Sequence, residues 1–524
     1  MEHSCVQLED LPDEILLIIF QNLPNCDVLY SFMGLNERLD TILNDRIFTR
    51  NLTLIKSVHS SSNQFTDTIF DRFCFEILPK INHKIERLNI ESSFMERIFA
   101  TSYPNLHALS LYNFPPETAC EVFCEENYSI YQLQNQISSL FIKLKPHEQL
   151  IDAFGSTQNR NIFIFIRICL LFKNLQYLNF SSSSIYEQLV FSNSIPMNFS
   201  SNLFELHVVV KSISDCLCVL DGQFELLHTF HVTIRSYGIY DEEIVGNHKK
   251  LPNLKCFSLI HENEISVYNL ILVPLFQRMT NLEELHLYFV NTYGSIIDGN
   301  NLENNIINHM TKLKKFTFNI RSVIYLDNQF NLPSNEDIKK TFKNFDNNQT
   351  TSYVDYFKKL NLFYCQIYSN PYRWTFYNNI TNNFPGGLFK CVREISLHDE
   401  HPFEHDFFLR ISKSFPFIKK LSLHNYEPQK NNYLQWPIIK YHHLIEIDLA
   451  KAHDDYVEQF LNNTKMCLLN NVHLRVRFDS LVKTTNNFTR DVTRINCTKI
   501  NLKIRSFTVE LSRLKEYFPH AKIY

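Results

Sequence analysis

Residues 282–287 read Leu-Glu-Glu-Leu-His-Leu, and one step earlier Leu254, Phe257 and Leu259 stand at the same L-x-x-L-x-L spacing. Apolar residues at alternate positions describe a short strand with one buried face. Working outward, further copies stand at Leu106/Leu109/Leu111, Leu175/Leu178/Phe180, Leu203/Leu206/Val208, Leu227/Phe230/Val232 and Leu313/Phe316/Phe318. After a gap come Val392/Ile395/Leu397, Ile418/Leu421/Leu423 and Leu444/Ile447/Leu449. From Leu175 to Leu313 the steps are 28, 24, 27, 28 and 31 residues, and from Val392 to Leu444 they are 26 and 26. Weaker copies lie at Ile85/Leu88/Ile90, Ile137/Leu140/Ile142, Leu469/Val472/Leu474 and Cys497/Ile500/Leu502. Helical patterns over 265–279, 404–415 and 454–461 fill intervals between copies.

A strand plus a helix at this period cannot bury its apolar side alone, so such units stack and share a continuous core. Over about residues 82–510 the chain resembles leucine-rich-repeat proteins. The resemblance implies an α/β fold, a curved solenoid with one strand and one helix per repeat. Members often carry Asn or Cys three residues after the last strand Leu. Here those positions hold Phe114, Ser183, Glu262, Val290, Glu400 and Tyr426, so irregular coils are expected. Residues 319–391 show no clean copy and are rich in Asn, Tyr and Phe. They read either as two degenerate coils plus a loop or as an insertion that contacts a partner.

Strand alternation places polar residues opposite the buried Leu positions. That stripe includes His207, His231 and His286, and just beyond the strands Tyr288, His398 and His424. These six are the candidate substrate-reading residues.

The first fifty residues stand outside the repeat. Pro12 suits a first helical position, and Asp13 and Glu14 suit the positive end of a helix dipole. Ile15, Leu16, Ile19, Phe20 and Leu23 fall on one face, with Leu17 and Ile18 on the opposite side. A helix apolar all round is covered on two sides, and fifty residues form too small a core to cover both. Leu11-Pro12-x-Glu14-Ile15-Leu16-x-x-Ile19-Phe20-x-x-Leu23, then Asp27, then Leu35-Asn36-x-Arg38 resembles the F-box. The pattern departs after Arg38, where Leu39 and Asp40 replace the usual aromatic. That family is a three-helix module that docks on the Skp-type adaptor of SCF (cullin–RING) ubiquitin ligases. The resemblance implies adaptor contact through Leu11, Pro12, Ile15, Ile19, Phe20, Leu23 and Leu35, some of which also serve the module's own core. The expected organisation is a small three-helix F-box module at 5–52, a linker or cap at 53–81, and the solenoid at 82–524. The expected role is substrate recognition for a ubiquitin ligase. The residues leave open a binding scaffold whose N-terminal helices merely cap the array.

Other function classes find little support. Nine glycines in 524 residues, under 2% against a usual ~7%, provide no phosphate-cradling loop. Lys+Arg 51 against Asp+Glu 55 leaves a net charge of −4, so nucleic-acid coating is not expected. Thirteen cysteines form no C-x-x-C pair and read as reduced, mostly buried thiols. No Lys or Arg precedes Arg38, no apolar run is long enough to span a bilayer, and a cytoplasmic or nuclear location is expected. His401-x-x-Glu404-His405 matches a metallopeptidase pattern, but Pro402 belongs at a helix start and leaves His401 outside the turn. No catalytic residue, metal or cofactor is therefore expected. Residues 471–505 carry eight Lys or Arg and read as a solvated face or a seat for an acidic ligand.

Overall fold

Asn36 and Asp45 each turn the chain into a helix by accepting a hydrogen bond from the backbone, Asn36 from the Leu39 N–H and Asp45 from the Ile47 N–H, both at 2.8 Å. Pro12 and Pro24 precede two others. The result is α1 (Asp13–Gln21), α2 (Asn25–Phe32), α3 (Glu37–Leu43) and α4 (Arg46–Thr49). The chain then runs through Arg50 straight into β1 (Asn51–Leu54). This computed structural model describes residues 8–55, 67–124, 128–145, 156–182, 188–191, 202–221, 224–235, 250–326, 332–343, 345, 350–430, 437–469, 471–504 and 511–523.

The chain divides into two units. The first comprises Met1–Glu264, Leu270–Phe289 and Asn308–Lys315. Its strands after β1 are β2 (Arg87–Glu91), β3 (Ala108–Phe114), β4 (Ser139–Leu144), β5 (Tyr177–Ser182), β6 (Glu205–Val210), β7 (Thr229–Ile234), β8 (Cys256–Ile265) and β9 (Glu284–Asn291). From β1 to β8 each pairs in parallel with the next. The register aligns Leu88, Leu109, Leu140, Leu178, Leu206, Phe230 and Phe257 in one column, all fully buried. Between strands the connections vary. A nine-residue helix, Ile213–Asp221, separates β6 from β7, whereas little more than single turns around Met95–Ile98 separate β2 from β3.

The second unit comprises Ile265–Asn269, Val290–Ile307 and Phe316–Tyr524. Here β10 (Lys315–Tyr325) pairs antiparallel with β12 (Leu362–Ser369), which pairs antiparallel with β11 (Thr350–Phe357). A parallel sheet of seven strands follows: β13 (Phe376–Ile380), β14 (Glu394–His398), β15 (Lys420–Asn425), β17 (Glu446–Ala452), β19 (Val472–Arg475), β20 (Ile500–Ile504) and β21 (Lys522–Ile523). A two-stranded sheet pairs β16 (Ile439–Tyr441) with β18 (Met466–Leu468). Many of the aromatic residues of 319–391 are core here, although Tyr325 and Tyr356 are exposed. Tyr353, Tyr372, Trp374 and Tyr377 are buried, and Tyr372 stacks on Tyr377 with ring centroids 5.1 Å apart.

Two expectations about the fold are corrected. Among the described residues there is no separate three-helix N-terminal module. Four short helices lead without a break into β1, which is hydrogen-bonded into a sheet, and α2 is tied to that strand through the Asn25 amide, which donates to the carbonyl oxygens of Ile47 and Asn51. Nor is there a curved solenoid with one strand and one helix per repeat. The architecture is α/β with a large, mostly parallel sheet of twelve strands that ends in the antiparallel order β10-β12-β11. The L-x-x-L-x-L signal reports one-sided burial along a strand. It says nothing of curvature, and it fades where apolar residues fill both faces of a strand. In β12, seven of the eight residues are buried, so no alternation marks it.

Candidate functional site

Helix α1 separates its apolar residues into two sets. Leu16 and Phe20 are fully buried, and the Phe20 ring packs at 4.7 Å from Phe32 and edge-on to Phe48 at 6.2 Å. Ile15, Ile18 and Ile19 point the other way and are 42%, 57% and 36% exposed. Leu23 and Leu35 are exposed as well, Pro12 is exposed, and Leu11 is half-buried. Of the seven expected adaptor residues, Phe20 therefore faces the interior, and the other six are accessible. The dividing line falls between neighbours one position apart, because residues 16 and 20 project about 100° from residues 15 and 19. Ile18 belongs to the exposed set, and Leu16 does not.

The Asn36-x-Arg38 pair has a local structural role. Asn36 caps α3, and Arg38 reaches back to α1, with Nε donating to Asp13 Oδ1 at 2.7 Å and a terminal nitrogen donating to the Leu11 carbonyl oxygen at 2.5 Å. The underside of the segment is anchored by Arg72, which donates to the carbonyl oxygens of Tyr30 (2.6 Å) and Met33 (2.9 Å). Arg46 and Arg50 both pair with Glu86 and hold its carboxyl below the usual range.

The strand-borne candidates divide in the same way. His207 and His231 are partly exposed neighbours on β6 and β7, with rings stacked at 4.2 Å. His286 and Tyr288 on β9 are buried, since β9 is covered on both faces. In the second unit His398 of β14 and His424 of β15 are register partners with ring centroids 5.1 Å apart. Burial holds both below the usual imidazole range, assisted at His398 by His424 and Arg321 and at His424 by Lys451.

Elsewhere the candidates have structural roles. Glu404 is the N-cap of the helix His405–Ser414, so His401 precedes it. His405 is buried, donating from Nε2 to the Pro437 carbonyl oxygen and accepting at Nδ1 from the Gln459 amide. In the basic stretch Arg475 pairs with Asp448, Arg477 and Lys483 with Asp454, Arg490 with Glu458 and Arg494 with Glu516. The side chains of Lys503 and Arg505 lie outside the described residues, as does that of Cys124. Cys26, Cys74, Cys169, Cys216, Cys365 and Cys497 are buried thiols.

The Asn that precedes many copies of the repeat, a position where Asn or Lys is usual, has a role the strand pattern does not announce. Asn105 donates to the His83 carbonyl oxygen, Asn174 to Asn135, Asn202 to Lys173, Asn253 to Glu225 and Asn281 to Pro252, at 2.5–3.0 Å. Each ties one turn of chain to the turn before it. The signal was the recurring Asn-Leu dipeptide, one position ahead of the strand pattern.

Fold and surface together define an α/β sheet protein with an aliphatic helical face at one end of its first unit. No protein-family model matches the chain, and no curated protein matches it. Among the described residues no helix is long and apolar enough to cross a membrane.

Proposed function

We propose that this chain is a non-catalytic substrate-recognition subunit of an SCF-type (cullin–RING) ubiquitin ligase acting in ubiquitin-dependent protein catabolism. It would seat a Skp-type adaptor on the accessible face of α1 and present a protein substrate to the ligase. The carrying observation is the cluster Ile15, Ile18, Ile19, Leu23 and Leu35, five aliphatic side chains between 36% and 60% exposed on so short a segment. Full burial of such a side chain is worth about 1.5–3 kcal/mol. Completing the burial of five already half-covered ones supports a stable interface. The resemblance over Leu11–Arg38 adds the identity of the partner. His207, His231, His398 and His424 are the accessible candidates for the substrate side, and the receptor's contribution there is effective concentration rather than bond-making.

The test is adaptor capture by the purified full chain, wild type against Ile15→Asp with Ile19→Asp. Both positions are exposed, so the melting temperature should not move, while adaptor recovery should fall at least tenfold. Equal recovery from both chains overturns the proposal and leaves a binding scaffold with no ligase role.

A further inference from the structure

Glu205 and His207 are two residues apart on β6, so both side chains stand on one face of the strand. His231 on β7 is the register partner of His207. Nε2 of His207 lies 2.7 Å from Oε1 of Glu205, and the two imidazoles stack with an interplanar angle of 16°. One donor atom from each of the three residues lies within 4.8 Å of the others. We propose that Glu205, His207 and His231 form a binding site for a divalent transition-metal ion of the zinc class.

Two imidazole nitrogens and one carboxylate oxygen suit zinc and its neighbours and do not suit magnesium or calcium, which take oxygen donors. Donors bonded at about 2.0–2.2 Å around a tetrahedral ion sit roughly 3.3 Å apart. The three donors already lie within 4.8 Å of one another, on strands whose separation the parallel ladder sets. Among the described residues no Lys or Arg pairs with Glu205; its ion-pair partner is His207. A neighbouring group of similar composition, Cys256, Glu284 and His286, makes the contrast. There the Lys315 ammonium sits 3.1 Å from the Glu284 carboxylate and holds it below the usual range, so the positive charge is supplied by the protein itself. The Glu205 and His207 side chains are 35% and 25% exposed, so an ion can enter from solvent and keep an outward position open. Three protein ligands with one open position allow a water, or a donor side chain of a bound protein, to complete the shell.

This site stands independently of the adaptor contact through α1, though two of its ligands are also substrate-side candidates. The experiment is calorimetric titration of chelator-stripped full-length chain with Zn2+, paired with the visible spectrum of the Co2+ form. Wild type should bind one ion with a spectrum free of thiolate charge transfer. His231→Ala and Glu205→Gln should each weaken binding at least tenfold, and Cys256→Ser should leave it unchanged. Glu205→Gln preserves size and hydrogen bonding, so it reports on the site even if the His231 variant folds poorly. Undiminished zinc affinity in Glu205→Gln, or loss of binding on Cys256→Ser with a thiolate spectrum, overturns the proposal. Neither result bears on adaptor capture through α1.

Discussion

Arg38 holds the start of α1 from the start of α3, its guanidinium spanning Asp13 Oδ1 and the Leu11 carbonyl oxygen. The two charged side chains are 44% and 57% exposed. An ion pair so solvated contributes at most about 1 kcal/mol. Its value lies in fixing where Leu11 and Pro12 enter the helix. Arg38→Ala should lower unfolding stability by less than about 1 kcal/mol in a denaturant titration, while weakening adaptor binding by several fold. Arg38→Lys should recover only part of that, because one ammonium cannot reproduce the planar two-point contact.

Phe20 and Ile19 are adjacent and should respond in opposite ways. Phe20→Ala removes a fully buried ring packed on Phe32 and Phe48 and should cost about 3–5 kcal/mol. Ile19→Ala should change stability little and show itself in adaptor affinity. Chemical denaturation and a binding isotherm on the same two proteins separate core from contact.

How far the molecule was legible can be read from these elements. The strands were visible because Leu282, Leu285 and Leu287, like Leu254, Phe257 and Leu259, are buried at the positions their alternation marks. Helix Asp454–Leu461 was visible through its period and its acidic first turn. The inward direction of α1 was not visible. A helix apolar on every side carries no phase, and the partners Phe32 and Phe48 that hold Phe20 inward are selected only in three dimensions. His286 looked like a surface residue because β9 alternates, yet tertiary cover on both faces buries it. In the antiparallel return, β12 left no repeat pattern because nearly all of its residues are buried and apolar or aromatic side chains stand on both faces.

The amides of Asn174, Asn202, Asn253 and Asn281 form a ladder of equivalent ties between successive turns. Each sits at an exposed edge, so a single Asn→Ala change should cost about 0.5–1.5 kcal/mol. Well-separated pairs such as Asn174 with Asn281 should add. Replacement by Asp keeps the shape but places an acceptor against a carbonyl oxygen, and should cost more than Ala. Thermal melts of the two series check both statements.

His398 introduces a pH dependence of predictable sign. Burial, His424 and Arg321 hold its folded value below the ordinary one of 6.5, so the unfolded chain takes up the proton first. Stability is then complete above about pH 7 and declines as the pH falls through about 6.5 toward the lower folded value. His398→Asn should flatten unfolding free energy between about pH 7 and pH 5, and adding His424→Asn should flatten it further. Denaturant midpoints followed by tryptophan fluorescence across that range provide the measurement.

The continuity of the four N-terminal helices with β1 carries a consequence for how such a molecule would be used in a cell. Ile15, Ile18 and Ile19 are displayed because Leu16 and Phe20 are buried, Phe20 against Phe32 and Phe48, and α2 is bound to the strand that opens the sheet. A nascent or damaged chain has no such display to offer. If an adaptor docks on this helix as proposed, its recruitment is gated by maturation, because the docking face exists only on the folded chain.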